Sequence, residues 1–175
     1  MRVTVVFTPV THDQFVADVL ALAEHLRPDA DWLPSFIIGI GRGGLSPAVY
    51  LSHVTGLPML SVDYSSQVSD FADAPLMRLA ARTREGGRLL FVDDINDSGA
   101  TIGRMRAELA AAGAAPGAVR FATLLDNVRS SQRVDYAARE IDRSQTKDWF
   151  VFPWEAVAPD ISLEKDAAAV PERIA

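Results

Sequence analysis

Residues Arg88 to Thr101, Arg-Leu-Leu-Phe-Val-Asp-Asp-Ile-Asn-Asp-Ser-Gly-Ala-Thr, leave this chain few ways to fold. Leu89 to Val92 is an unbroken apolar run. A run that short, with no alternation, predicts a strand covered on both faces, as in a parallel sheet. It ends abruptly in two carboxylates, Asp93 and Asp94. A turn of small residues follows, and an amphipathic stretch begins near Thr101, with Ile102, Met105 and Leu109 at helical spacing. Strand, acidic pair, polar turn and helix therefore come in that order. In open parallel sheets, ligands sit beyond the carboxyl ends of the strands, which is where the two acids are expected.

The rest of the chain alternates in the same way. Thr11-His-Asp-Gln14 has the form of a capping box, and Phe15, Val19, Leu22 and Leu26 recur at helical spacing, so a helix runs from Thr11 to about Arg27. Val3, Val5 and Phe7 alternate and favour a short strand before it. Ser35 to Ile40 is a strong strand. A glycine cluster follows, and a helix begins near Leu45 with Pro47 in its first turn. Gly56 stops that helix, and Leu57 to Val62 is another strand. Residues 65–86 are polar without clear periodicity and carry Arg78, Arg82 and Arg84, with Arg88 just beyond. Gly113 and Pro116 end the helix after Thr101, and Val119 to Leu125 is a strand. Tyr136 lies in a short mixed segment, and Trp149 to Glu155 is an aromatic cluster. These alternations predict an α/β fold with a mostly parallel central sheet flanked by helices. At 175 residues the chain is one domain, read as residues 1–156 with a polar, alanine-rich tail over 157–175.

Composition removes several functions. Cysteine is absent, so disulfides, thiolate metal sites and a cysteine nucleophile are excluded, and a reducing, cytoplasmic setting is expected. A net charge of −6 argues against nucleic acid as the partner. No apolar run approaches a membrane span. The three histidines lack metal-ligand spacing.

The turn Asp97-Ser98-Gly99-Ala100-Thr101 offers backbone N–H groups, two hydroxyls and a helix behind it, which together suit a phosphate. Asp93 and Asp94 would repel a bare phosphate, but they suit sugar hydroxyls or hydrated Mg²⁺. A phosphorylated sugar has both features. A second loop, Gly39-Ile-Gly41-Arg42-Gly43-Gly44, satisfies the dinucleotide pattern G-x-G-x-x-G, and Asp63 ends the next strand where a ribose-binding acid belongs. An oxidoreductase of that kind is a genuine rival. It leaves the Asp93–Thr101 turn unexplained, leaves little chain for a substrate domain, and has no need of Arg42.

Val92 to Thr101 resembles the PRPP-binding motif of the type I phosphoribosyltransferases: an apolar strand, two acids, two variable residues, then a small hydroxyl-rich turn. Within that resemblance, Ile40-Gly41-Arg42-Gly43-Gly44 with Pro47-Ala48 is similar to the family's pyrophosphate loop, where backbone N–H groups and the arginine bind the diphosphate. The family implies a strained or cis peptide at Gly41-Arg42 and a small hood with a mobile loop over Tyr64 to about Pro75. It implies that Asp93 and Asp94 hold the ribose hydroxyls and Mg²⁺, that Ser98 to Thr101 cradle the 5-phosphate, and that Asp97 is the general base toward a purine. Trp149-Phe-Val-Phe152-Pro-Trp154-Glu155 resembles the purine-binding segment of bacterial and archaeal xanthine and hypoxanthine-guanine members. Trp149 would then stack on the base, Phe150 would read its edge through backbone groups, and Glu155 would reach a second Mg²⁺ through water. Where such members place a base-contacting lysine, this chain has Asn127, which leaves the identity of the base open. The resemblance also implies a homodimer or homotetramer. A PRPP-binding regulator of the same fold with little catalysis is the alternative.

Overall fold

The computed structural model describes residues 5–27, 31–63 and 73–168. The elements run β1 (Phe7–Pro9), α1 (His12–Leu26), β2 (Phe36–Ile40), α2 (Gly41–Thr55), β3 (Met59–Val62), α3 (Asp73–Arg84), β4 (Leu89–Asn96), α4 (Ala100–Ala111), β5 (Val119–Asn127), β6 (Tyr136–Ile141), β7 (Trp149–Val151), a 3-10 turn at Pro153–Glu155 and α5 (Asp160–Ala168). The central sheet is all parallel in the order β3-β2-β4-β5-β6. β1 and β7 form a separate parallel pair. The expected α/β architecture is therefore present. The start of the alternation at Val3 and the hood loop from Tyr64 to residue 72 lie outside the described residues.

Leu89 to Val92 are each 0% exposed, so β4 is covered on both faces. Leu90 and Val92 face one core with Phe15, Val19 and Leu22 of α1 and Ala48 and Leu51 of α2. Leu89 and Phe91 face the other, with Leu76, Leu79 and Ala80 of α3 and Ile102, Met105 and Leu109 of α4. The capping box is formed as expected: Thr11 Oγ1 accepts from Gln14 N, and Gln14 Oε1 accepts from Thr11 N.

Four expectations change. The helix after β2 begins at Gly41, not near Leu45, which puts Pro47 inside α2 rather than in its first turn. Gly41, at φ 53°, makes the strand-to-helix turn by itself. No cis peptide occurs among the described residues, so Gly41-Arg42 is trans and its turn comes from the glycine's positive φ. The polar stretch after residue 72 is helical from Asp73 to Arg84. Arg82, Arg84 and Arg88 serve structure: Arg84 Nη1 donates to the carbonyls of Ala112 and Gly113 at the end of α4, Arg82 lies over the Phe36 ring, and Arg88 Nη1, just beyond the helix, donates to Asp31 O. Finally, the mixed segment at Tyr136 is the edge strand β6, fastened to α1 by a bidentate Arg139–Asp18 pair at 2.8 Å.

Candidate active site

β2 leads outward to β3 on one side, and the chain then crosses back to β4 on the other. The order of the sheet reverses between β2 and β4, the place where open parallel sheets hold a ligand beyond their strand ends. β2 pairs with β4 only as far as Gly39 opposite Val92. Past that point β4 keeps β5 as a partner, through Asn96 opposite Asp126, and the start of α2 lies against its other edge. The acids thus belong to β4 itself rather than to a loop after it.

The glycine loop meets the acids directly. A Cβ on Gly43 would lie 2.5 Å from Asp94 Oδ2, and one on Gly44 would overlap the Val92 carbonyl oxygen. Only glycine lets the first turn of α2 rest on the acidic end of β4. Arg42 is exposed at the same place. Gly41–Gly44 and Asp93–Thr101 therefore open on one crevice, as the ends of adjacent parallel strands.

Asp93 is buried at 9% exposure, and its Oδ1 accepts from Asp94 N at 3.0 Å. Burial, and then the neighbouring Asp94 carboxylate, hold its carboxyl well above the ordinary value of 3.8. Such a pair suits hydroxyl donors or a hydrated divalent cation. Mg²⁺ commonly takes one or two carboxylates and completes its shell with water and substrate phosphate, so Asp93 and Asp94 fit it. Glu155 lies in the 3-10 turn after β7. Its Oε2 accepts from Phe152 N at 3.0 Å, capping the 3-10 turn, and no group of three or more His, Asp or Glu among the described residues is placed to hold a metal.

The turn after β4 has Gly99 at φ 89°, and α4 starts on it with no side-chain cap; α2 likewise starts uncapped, whereas α1 is capped by Thr11. Ser98 Oγ accepts from Ala100 N at 3.3 Å, and Thr101 is half-buried in the first turn of α4. Asp97 points to Arg143, a residue the sequence did not single out. Arg143 Nη2 and Nε donate to the Asp97 carboxylate at 2.9–3.2 Å, with both side chains nearly buried. Arg143 Nη1 donates to the carbonyls of Thr146 and Asp148, and its guanidinium lies 5.2 Å from the Phe150 ring centre. Asp97 and Phe150 are thus joined through one cation.

Asn127 is buried, and its amide is engaged within the protein: Nδ2 donates to Asp97 O at 2.9 Å, and Oδ1 accepts from Arg129 N and Arg143 N. Its Nδ2 thus reaches the start of the Asp97–Thr101 turn. Trp149 and Phe150 are half-buried on β7, where Phe7 pairs with Trp149. Phe152 is core, and Trp154 stacks on it at 4.9 Å.

Across residues 10–159 the chain matches the model of the phosphoribosyl transferase domain. It belongs to that family. The dinucleotide reading of the glycine loop falls with this match, since the loop shares its crevice with the Asp93–Thr101 turn. Among solved structures, a purine phosphoribosyltransferase from Pyrococcus horikoshii Ot3 is 28% identical over 87% of this chain and 97% of its own, with a TM-score of 0.63. A xanthine-guanine-hypoxanthine phosphoribosyltransferase from Helicobacter pylori is 18% identical, with 91% and 99% covered and a TM-score of 0.64. A Neisseria gonorrhoeae protein solved with bound ppGpp is 21% identical, with 95% and 98% covered and a TM-score of 0.67. The latter two share the phosphoribosyltransferase fold with this chain. No helix among the described residues is long and apolar enough to cross a membrane.

Proposed function

We propose that this phosphoribosyltransferase transfers the 5-phosphoribosyl group of PRPP to a purine base, forming a nucleoside monophosphate and pyrophosphate. The observation that carries the reading is the contact of Gly43 and Gly44 with the acidic end of β4, which makes one site of two anion-binding loops. In this reading Arg42 and the N–H groups at the start of α2 hold the diphosphate. Asp93 and Asp94 hold the ribose hydroxyls, and the turn from Ser98 to Thr101 holds the 5-phosphate. Mg²⁺, when bound with the substrate, supplies charge neutralisation to the leaving diphosphate, with Asp93 and Asp94 as its protein-side contacts.

A base nitrogen attacks the anomeric carbon as the bond to pyrophosphate breaks. Positive charge spreads onto the ribose ring, and the two carboxylates beneath it oppose that charge. The base must shed a proton, and Asp97, the acid of the turn, accepts it or the hydrogen bond that precedes transfer. Arg143 holds the Asp97 carboxylate in place from the side. Trp149 offers a ring face for stacking and Phe150 its backbone groups for the base edge. The choice of a purine rests on Asp97, on the Trp149–Glu155 segment and on the likeness to the Pyrococcus enzyme, which is described as a purine phosphoribosyltransferase.

The test is a panel of purine and pyrimidine bases incubated with PRPP and Mg²⁺, with pyrophosphate release as the readout. Release with at least one purine and none with orotate or uracil is expected. Tight PRPP binding with no turnover on any base would instead mark a regulator on this fold.

A further inference from the structure

The carbonyls of Asp97 and Ser98 are both held from one side. Asn127 Nδ2 donates to Asp97 O at 2.9 Å. The Ser131 N–H and hydroxyl donate to Ser98 O at 3.1 and 2.7 Å. In a trans peptide unit the C=O and the next N–H point in opposite directions. The N–H groups of Ser98 and Gly99 are therefore turned away from the connection that grips their carbonyls. β5 lies on the far side of β4 from β2, the strand that leads into the glycine loop. The N–H groups of Ser98, Gly99 and Thr101 donate to no described residue.

The grip is braced. Residues 128–135 join two adjacent parallel strands, a link that usually needs a dozen or more residues and a helix. Here the segment runs along the flank of α4 and is tied down throughout. Ser130 Oγ donates to Asn96 Oδ1 at 3.1 Å, and Asn96 Nδ2 donates to Gln132 O at 2.8 Å and to Asp126 Oδ1 at 2.7 Å. Arg106 donates to Gln132 Oε1 at 2.9 Å and to Arg133 O at 2.6 Å. Gly99 permits the closure, since a Cβ there would lie 2.5 Å from Ser131 Oγ. Asn127 Oδ1 accepts two backbone N–H groups, which fixes its amide so that Nδ2 faces Asp97.

We propose that Asn127 and Ser131 are positioning residues for the 5-phosphate of the sugar substrate. They hold two successive peptide units with their N–H groups already aimed at the anion, so binding requires no reorientation of the turn. The inference rests on the phosphoribosyltransferase reading of this site. It gives Asn127 a task on the phosphate side of the crevice in place of the base contact expected from its position.

Calorimetry on the full chain with Mg²⁺ tests it, with ribose 5-phosphate and pyrophosphate as separate probes. Ser131→Ala, at an exposed position, should weaken ribose 5-phosphate binding roughly three- to tenfold. Asn127→Leu should weaken it at least as much. Pyrophosphate binding, at the other loop, should hold in both. Ser131→Thr keeps the hydroxyl and should recover the affinity. In turnover assays Ser131→Ala should raise KM for PRPP and leave kcat and the base KM in place. Wild-type affinity for ribose 5-phosphate in both variants overturns the inference, as does an equal loss for the two probes. A wild-type chain that binds neither probe overturns the phosphoribosyltransferase reading and this inference together; one that binds both while the variants match it overturns only the inference.

Discussion

At Asp93, burial and the adjacent Asp94 both favour the protonated carboxyl. A carboxyl whose folded pKa lies above its unfolded value stabilises the fold below that unfolded value, here 3.8, and the contribution is lost as pH rises through the folded pKa. At neutral pH the residue therefore works against the fold it sits in. Asp93→Asn keeps the acceptor for Asp94 N and removes the charge. It should raise stability at pH 7 by roughly 0.5–2 kcal/mol, the usual yield of relieving an unfavourable functional group. The gain should vanish near pH 4, and PRPP turnover should fall; melting curves across pH and the pyrophosphate assay check both. Asp97 and Arg143 give the opposite case, an ion pair close to fully buried. Arg143→Met should cost roughly 3–5 kcal/mol because it strands a buried carboxylate, and adding Asp97→Asn should recover part of that in urea unfolding. Asp97→Asn alone should lower turnover roughly 10²- to 10⁴-fold while PRPP binding is largely retained.

Among the elements, the start of α2 separates folding from function over two adjacent glycines. Gly44→Ala drives a methyl into the backbone of β4, which cannot move aside, and should destabilise by roughly 1–3 kcal/mol or more. Gly43→Ala meets first the Asp94 side chain rather than backbone. Its melting temperature should stay near wild type while KM for PRPP rises; thermal melts beside kinetics distinguish the two. The elements legible in the sequence were those whose burial leaves a plain pattern. Leu89 to Val92 could be read because both faces of β4 are covered, and α1 because Thr11 and the Phe15–Leu26 spacing agree. α3 was hidden: Leu76, Leu79, Ala80 and Thr83 mark a buried stripe, but it is interleaved with arginines and follows a polar lead-in. β6 was hidden because an edge strand with exposed Arg139 and Glu140 has no apolar run to announce it. In the site, the paired loops were visible as short motifs. Arg143 and Ser131 were not, since their roles arise only where the turns after β5 and β6 fold back on Asp97 and Ser98, which lie 46 and 33 residues away in sequence.

Across the whole molecule, the five-stranded sheet carries the proposed sugar and phosphate contacts, while the aromatic segment hangs on a different sheet. Trp149, Phe150 and Val151 pair with Phe7, Thr8 and Pro9, Trp149 N donates to Val6 O, and Thr8 Oγ1 donates to Asp148 Oδ2. The amino-terminal segment is thus the backbone partner of the proposed stacking residue. Deleting residues 1–9 should raise the KM for the base severalfold and leave that for PRPP near its starting value, as steady-state kinetics with each substrate varied in turn would show. A tag, a fusion or a processing event at the front of the chain is therefore a modification of the wall against which the nucleobase would rest.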